Sequence, residues 1–181
     1  IIGAGCMGMA IALNLRDRGY KVAIRDVRPE IDNEARASGL SVCASPAEVA
    51  RQCDLVVVVV VNAAQTDEVL FGEQGLTSAA RANTVVLCPT ISPEDTESIA
   101  TRLIAAGVSV LDAPMSGGPA RARNGTMSLM LAGDETVIAS HQPMLAAMSD
   151  KIFRLGSRIG DGARYKLVNN LVAGMNLIAS A

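Results

Sequence analysis

Lys166, Asn169 and Asn170 are spaced i, i+3, i+4, so a helix through them carries an amine and two amides on one face. An amine held this way can give and take a proton. Asn170, one turn on, can hold a reacting oxygen or the lysine itself in line, and Asn169 is the neighbour left to cap local backbone. Earlier in the chain, Ser116-Gly117-Gly118 exposes several backbone N–H groups and one hydroxyl, a small nest suited to a carboxylate. Arg121 and Arg123 follow it and could add attraction for an anion. Each pattern alone also has a plain reading, as a solvated helix face or a Gly-Gly turn.

The opening of the chain changes that balance. Gly3-Ala4-Gly5-Cys6-Met7-Gly8 follows the strand residues Ile1-Ile2 and precedes a helix, the context in which the GxGxxG spacing has physical meaning. Gly3 permits the tight turn, Gly5 lets backbone amides approach a pyrophosphate, and Gly8 lets the helix pack close to the strand. Amides at the helix start then favour the anion. Asp26 ends the second strand, eighteen residues past Gly8, where it can accept hydrogen bonds from ribose hydroxyls. A carboxylate there disfavours a 2′-phosphate, so NAD is the expected cofactor. Arg25 and Arg28 flank it and could turn towards such a phosphate, which keeps NADP open.

A cofactor turn, a small-anion bend and a proton-transfer lysine, in that order, indicate a dehydrogenase. Oxidising an alcohol by hydride loss needs a base for the hydroxyl proton, and the reverse direction needs an acid. An ammonium partly desolvated beside a positively charged nicotinamide has its pKa lowered towards the working pH, which suits Lys166 to both tasks.

Bulk composition narrows the alternatives. The 181 residues are 50% hydrophobic and 19% charged, a globular balance. A net charge of −2 and 2% aromatic content leave neither a cationic field nor stacking platforms for nucleic acid. The longest apolar run, Leu55 to Val61, is seven residues, too short for a membrane span. Four cysteines without a CxxC pair read as buried hydrophobes in a reducing compartment, so a cytoplasmic location is expected. One histidine argues against a histidine-rich metal site or a Cys-His or Ser-His nucleophile, and no metal is expected. The chain opens inside a strand without Met and stops within a helical pattern, so it reads as a piece of a longer protein.

Strand and helix patterns alternate. Helices are expected at Gly8–Arg18, Pro29–Ser38, from Ser45-Pro46-Ala47-Glu48 onward, at Asn62–Leu70, from Ser92-Pro93 to near Gly107, and at Thr136–Met148, where Pro143 should kink or divide the last. Strands are expected at Lys21–Arg25, Leu55–Val61, Thr84–Cys88, Ser109–Leu111, Met127–Ala132 and Lys151–Leu155. This alternation specifies an α/β, Rossmann-type doubly wound and mostly parallel sheet. From Ala163 an uninterrupted helical pattern runs to Ala181. The expected division is residues 1–162 as an NAD-binding domain and 163–181 as the start of a long helix.

On these motifs the sequence resembles the β-hydroxyacid dehydrogenase family, which contains 3-hydroxyisobutyrate dehydrogenase, tartronate semialdehyde reductase and the more distant 6-phosphogluconate dehydrogenase. The likeness rests on Gly3–Gly8, Thr90-Ile91-Ser92-Pro93, Asp112–Gly118 with Gly125-Thr126, and Gly160-x-Gly162-x-x-x-Lys166-x-x-Asn169-Asn170, and covers essentially the whole chain. It implies hydride transfer between NAD and a short 3-hydroxy acid. Lys166 would be the acid/base, and Ser116, Gly117, Gly118 and Asn170 would hold the substrate. The glycine turn with Cys6 and Met7, together with Thr90 and the Val61-Asn62 turn, would touch the cofactor. It also implies a further all-helical domain, and a homodimer or homotetramer in the full-length protein. Pro89 departs from the family's small polar residue before the Thr and has no N–H to donate; the Thr90 hydroxyl is unaffected. Two other readings are an NADPH-linked aldehyde, keto-acid or imine reductase on the same scaffold, against which Lys166 counts, and a non-catalytic nucleotide-binding module.

Overall fold

Residues 1–79 and 84–180 are described by the computed structural model. In chain order they form α1 (Cys6–Asp17), β1 (Ala23–Ile24), α2 (Pro29–Ala37), β2 (Ser41–Val42), α3 (Pro46–Gln52), β3 (Leu55–Val58), α4 (Ala63–Phe71), a 3-10 turn at Leu76–Ala79, β4 (Thr84–Leu87), α5 (Pro93–Ala105), β5 (Ser109–Asp112), β6 (Met115–Ser116), α6 (Gly118–Asn124), β7 (Ser128–Gly133), α7 (Glu135–Ser140), α8 (Gln142–Met148), β8 (Lys151–Arg154) and α9 (Asp161–Ala179). The cap signals do their expected work. Ser45 accepts from the Glu48 amide at 3.2 Å, Glu48 reaches back to the Ala44 amide at 2.6 Å, and Ser92 accepts from the Asp95 amide at 3.0 Å.

β3, β4 and β5 pair in parallel. Ile2 bridges in parallel to both Arg25 and Val58, which joins the parallel β1–β2 pair to β3. The lateral order is therefore β2, β1, the Ile2 segment, β3, β4, β5. The winding direction reverses between the Ile2 segment and β3, and in open α/β sheets ligands bind in the crevice outside the strand ends at such a reversal. Helices cover both faces, which is why Val56, Val57, Val58, Val85, Val86 and Leu87 are all buried and why these strands show no polar alternation. One core lies around Ile11, Leu15 and Leu111, and the other around Val49, Leu70 and Leu103.

Several details differ from expectation. The β3 ladder stops at Val58; Val59 still donates to the Ile2 carbonyl at 2.8 Å, and residues 59–61 turn out to wall the crevice. β7 runs antiparallel to β5 and β6, and β8 is parallel to β7. The Gly-Pro stretch after Ser116 is helix α6, with Pro119 in its first turn, rather than an open loop. The Pro143 helix, by contrast, is divided as expected: the break falls at His141, with the proline in the first turn of α8, where its missing N–H costs nothing. His141 Nε2 lies 2.8 Å from Thr84 Oγ1, a structural contact.

The last helix forms, although Ala181, where it was expected to reach, lies outside the described residues. Only Gly162, Ala163 and Lys166 of α9 are buried; Leu171, Met175 and Ile178 are 64%, 61% and 79% exposed. Among the described residues, no helix is long and apolar enough to cross a membrane.

Candidate active site

The glycine turn is built by close approach. Gly3 has φ +88°, in the left-handed region, and a Cβ there would lie 2.5 Å from the Val59 carbonyl oxygen. A Cβ on Gly8 would lie 1.9 Å from the Gly3 carbonyl oxygen. Gly5 caps the N-terminus of α1 and is open on one side, where its nearest neighbour would be the Arg28 guanidinium at 3.4 Å. The α1 start therefore faces free space lined by backbone, the cradle that a pyrophosphate requires. The residues present fit a dinucleotide.

Two cavities meet here. One, of about 550 Å³, is lined by the glycine turn at Gly5, Cys6, Met7 and Gly8, by Val61 and Thr90, and by Ser116, Gly117, Gly118, Lys166 and Asn170. The other, of about 660 Å³, includes Gly3, Gly5, Asp26, Arg25, Arg28 and Val61. Asn62 lines neither: its Oδ1 accepts from the Gln65 amide at 2.9 Å and caps α4. Thr90 is exposed at the mouth, next to the buried Pro89.

Asp26 is 7% exposed. Its carboxylate accepts from the Ala4 amide at 2.8 Å and the Arg28 amide at 3.1 Å. The Arg28 side chain donates to both carboxylate oxygens, at 2.9 and 3.2 Å. Burial pushes this carboxyl up, but the Arg28 guanidinium, the Arg28 amide and the Ala4 amide outweigh it and hold the group below the usual carboxylate range. Arg25 donates to the main-chain carbonyl of Asp26. The second cavity thus contains an anion already covered by a cation that is itself half exposed.

At the other end, Ser116 ends β6, and Gly117 and Gly118 adopt φ +134° and +76°. This left-handed pair turns the chain into α6. Arg123 pairs with Asp17 on α1, so its charge is directed away from the crevice, and the Arg121 stem packs beside Gly117.

Lys166 is 8% exposed, and among the described residues no carboxylate is within ion-pair distance of its amine. Burial lowers its pKa from the ordinary 10.5, because removing an ammonium from water disfavours its charged form. Asn169 Nδ2 lies 3.5 Å from Ser116 Oγ, at the outer limit of a hydrogen bond, so it faces the serine rather than capping local backbone. Asn170 lines the same cavity from an exposed position.

One participant was not singled out by sequence reasoning. Asp112, at the end of β5, is 1% exposed, and its Oδ2 accepts from the Gly160 amide at 2.8 Å and the Ala163 amide at 3.2 Å. A lone Asp after an apolar strand carries no spacing signal, since its partners lie about fifty residues on. The available hint was Gly160-x-Gly162: a Cβ at Gly162 would sit 2.9 Å from the Asp112 carboxyl carbon and 2.6 Å from the Met130 carbonyl oxygen.

Over its whole length the chain is 40% identical to an L-threonate dehydrogenase of Cupriavidus necator and covers 61% of that protein. Over 98% of its length it is 34% identical to a 2-hydroxy-3-oxopropionate reductase of Escherichia coli, again covering 61% of the relative. The crystal structure of a 3-hydroxyisobutyrate dehydrogenase from Salmonella typhimurium superposes with a TM-score of 0.91 at 33% identity, over 98% of this chain and 62% of that one. The chain thus spans about three-fifths of the length of these relatives. Residues 1–156 match the family described as the NAD binding domain of 6-phosphogluconate dehydrogenase, and with the glycine cradle in place the chain belongs to that family.

Proposed function

We propose that the full-length protein transfers a hydride between NAD and a short 3-hydroxy carboxylic acid, with Lys166 as the general acid/base. The observation that carries this reading is a buried lysine, without a counter-ion among the described residues, lining the same cavity as the glycine turn and the paired-glycine bend. A bound nicotinamide dinucleotide supplies the hydride acceptor or donor. Ser116, Gly117, Gly118 and Asn170 hold the substrate, with its carboxylate on the amides and hydroxyl of the bend. Lys166 takes the hydroxyl proton during oxidation and returns it during reduction. Gly3, Gly5, Cys6, Met7 and Gly8 cradle the cofactor, Asp26 accepts from its ribose, and Val61 and Thr90 border it, while Asn62 only caps the helix that follows. In this reading residues 1–162 are the cofactor-binding unit, and 163–181 begin a helix leading to a further domain and to an oligomer.

The names of the relatives support a small, non-phosphorylated hydroxy acid. The direct test is turnover of the full-length protein on threonate, glycerate, 3-hydroxyisobutyrate, serine and 6-phosphogluconate with each cofactor. Activity on one of the first four is expected; turnover of 6-phosphogluconate alone would overturn the substrate class.

The Arg28 cover over Asp26 supports use of NADP as a second cofactor, since the guanidinium could move from the carboxylate to a 2′-phosphate. Arg28→Ala is expected to lower kcat/KM with NADP by about tenfold or more, the loss of one charge-assisted pair. Activity with NAD should be unchanged or raised, because Asp26 is then free. Equal losses with both cofactors would mean that Arg28 only supports the loop.

A further inference from the structure

We propose that Asp112 is a positioning residue for Lys166: by taking amide hydrogens at the start of α9, its buried carboxylate fixes where the lysine amine enters the crevice. This rests on the proton-transfer reading of Lys166.

The anchoring of α9 is confined to its beginning. Its three buried residues, Gly162, Ala163 and Lys166, fall within its first six positions, and beyond Lys166 no residue is buried. Ala163, whose amide Asp112 holds at 3.2 Å, precedes Lys166 by three residues and so lies on the same face of the helix. The Gly160 amide, held at 2.8 Å, belongs to the cap residue, which has φ +96° and no side chain with which to cap its own helix. Asp112 therefore supplies from across the sheet the acceptor that a local Ser or Asp supplies elsewhere. Gly162 allows this approach, because any side chain there would meet the carboxylate and the Met130 carbonyl.

The other fastenings are peripheral. Arg164 to Glu97 at 2.6 Å, with Asp161 and Arg158 nearby, is a surface network and holds weakly. The half-exposed Tyr165 ring stacks on Phe153 with centroids 6.2 Å apart, and Asn169 reaches Ser116 only at 3.5 Å. Asp112 also joins the two halves of the site through the chain itself. Its backbone is paired in β5 with Ala132, and four residues later the chain reaches Ser116. One residue thus sets the distance between the anion bend and the amine. Burial pushes its carboxyl up to about 6, against the pull of the Ala163, Gly160 and Gly162 amides and with a small push from Asp161.

The test uses the full-length protein, with kcat expressed per NAD-binding molecule so that loss of folded protein is not counted as loss of catalysis. Asp112→Asn keeps the shape but removes the charge that strengthens both amide bonds to Oδ2 and puts an NH2 donor in place of the second oxygen. Asp112→Glu keeps the charge but moves it outward by one methylene. Each is expected to lower kcat by about 10- to 100-fold, the cost of misplacing a reacting group by about an ångström, with NAD affinity unchanged. Normal kcat in both variants, while Lys166→Ala has lost turnover, would overturn the proposal. A parallel loss of NAD affinity and kcat would overturn it too, as would failure of both variants to fold, since either makes Asp112 a general support of the domain. Full turnover in Lys166→Ala would instead sink the underlying proton-transfer reading.

Discussion

Lys166→Ala in the full-length protein is expected to lower kcat by about 10²- to 10⁴-fold, the range supplied by a positioned general acid/base. NAD affinity should be unchanged, because the glycine turn and Asp26 lie on other elements, α1 and the end of the second strand. The fold should persist, since the substitution removes a buried ammonium without orphaning a partner; no ion pair holds it among the described residues. The pH dependence provides a second measurement. Oxidation requires the neutral amine, so the rate should rise with pH along a limb lying below the ordinary 10.5, as burial lowers this pKa. Reduction requires the protonated amine and should fall along the same limb. Loss of this limb in the variant, measured by kcat/KM against pH, identifies its owner. If turnover and pH profile both survived the substitution, the amine would be a packing residue and the chain a nucleotide-binding scaffold.

Gly8→Ala should have the second largest effect. The added methyl would lie 1.9 Å from the Gly3 carbonyl oxygen, a backbone atom that cannot rotate away. Gly3 is itself held against the Val59 carbonyl and donates to the Arg25 carbonyl at 2.9 Å. Either α1 moves outward or the turn opens, at a cost of about 3 kcal/mol, the upper part of the range for overpacking. Both responses displace the amides at the α1 start, so the Kd for NAD should rise by about tenfold or more, equivalent to about 1.4 kcal/mol. Gly174→Ala is the contrasting control: a Cβ there meets nothing within 4 Å, and alanine in an exposed helix interior should stabilise by about 0.5–1 kcal/mol. Chemical denaturation and calorimetric NAD titration of the two variants check both halves.

What could be read from the sequence was whatever depends on near neighbours. Ser45, Ser92 and the Gly3–Gly8 turn act through residues a few positions away, so their spacing identified the helix starts and the cofactor cradle. The apolar β3 and β4 runs identified a sheet covered on both faces. Pairing direction was harder, because β7 is antiparallel to β5 through contacts between positions twenty or more residues apart, and nothing in either strand's composition encodes that. α6 went unseen because Gly118 and Pro119 signal a turn as strongly as a helix start. Asp112 is the clearest case: its chemistry depends on two amides across the sheet, and only the glycines of Gly160-x-Gly162 record the contact.

The two cavities share Gly5 and Val59–Val61 as a common waist. That shared stretch has aliphatic walls and the main-chain amides of the α1 start, with the Arg28 guanidinium beside Gly5. A dinucleotide threaded through it would place there the pyrophosphate that NAD and NADP have in common, so this stretch would not tell the two apart. In the proposed function, discrimination would therefore fall to the extremities, with the Asp26–Arg28 pair at one end and Lys166 with Ser116 at the other. Each could be retuned by substitution without disturbing its counterpart.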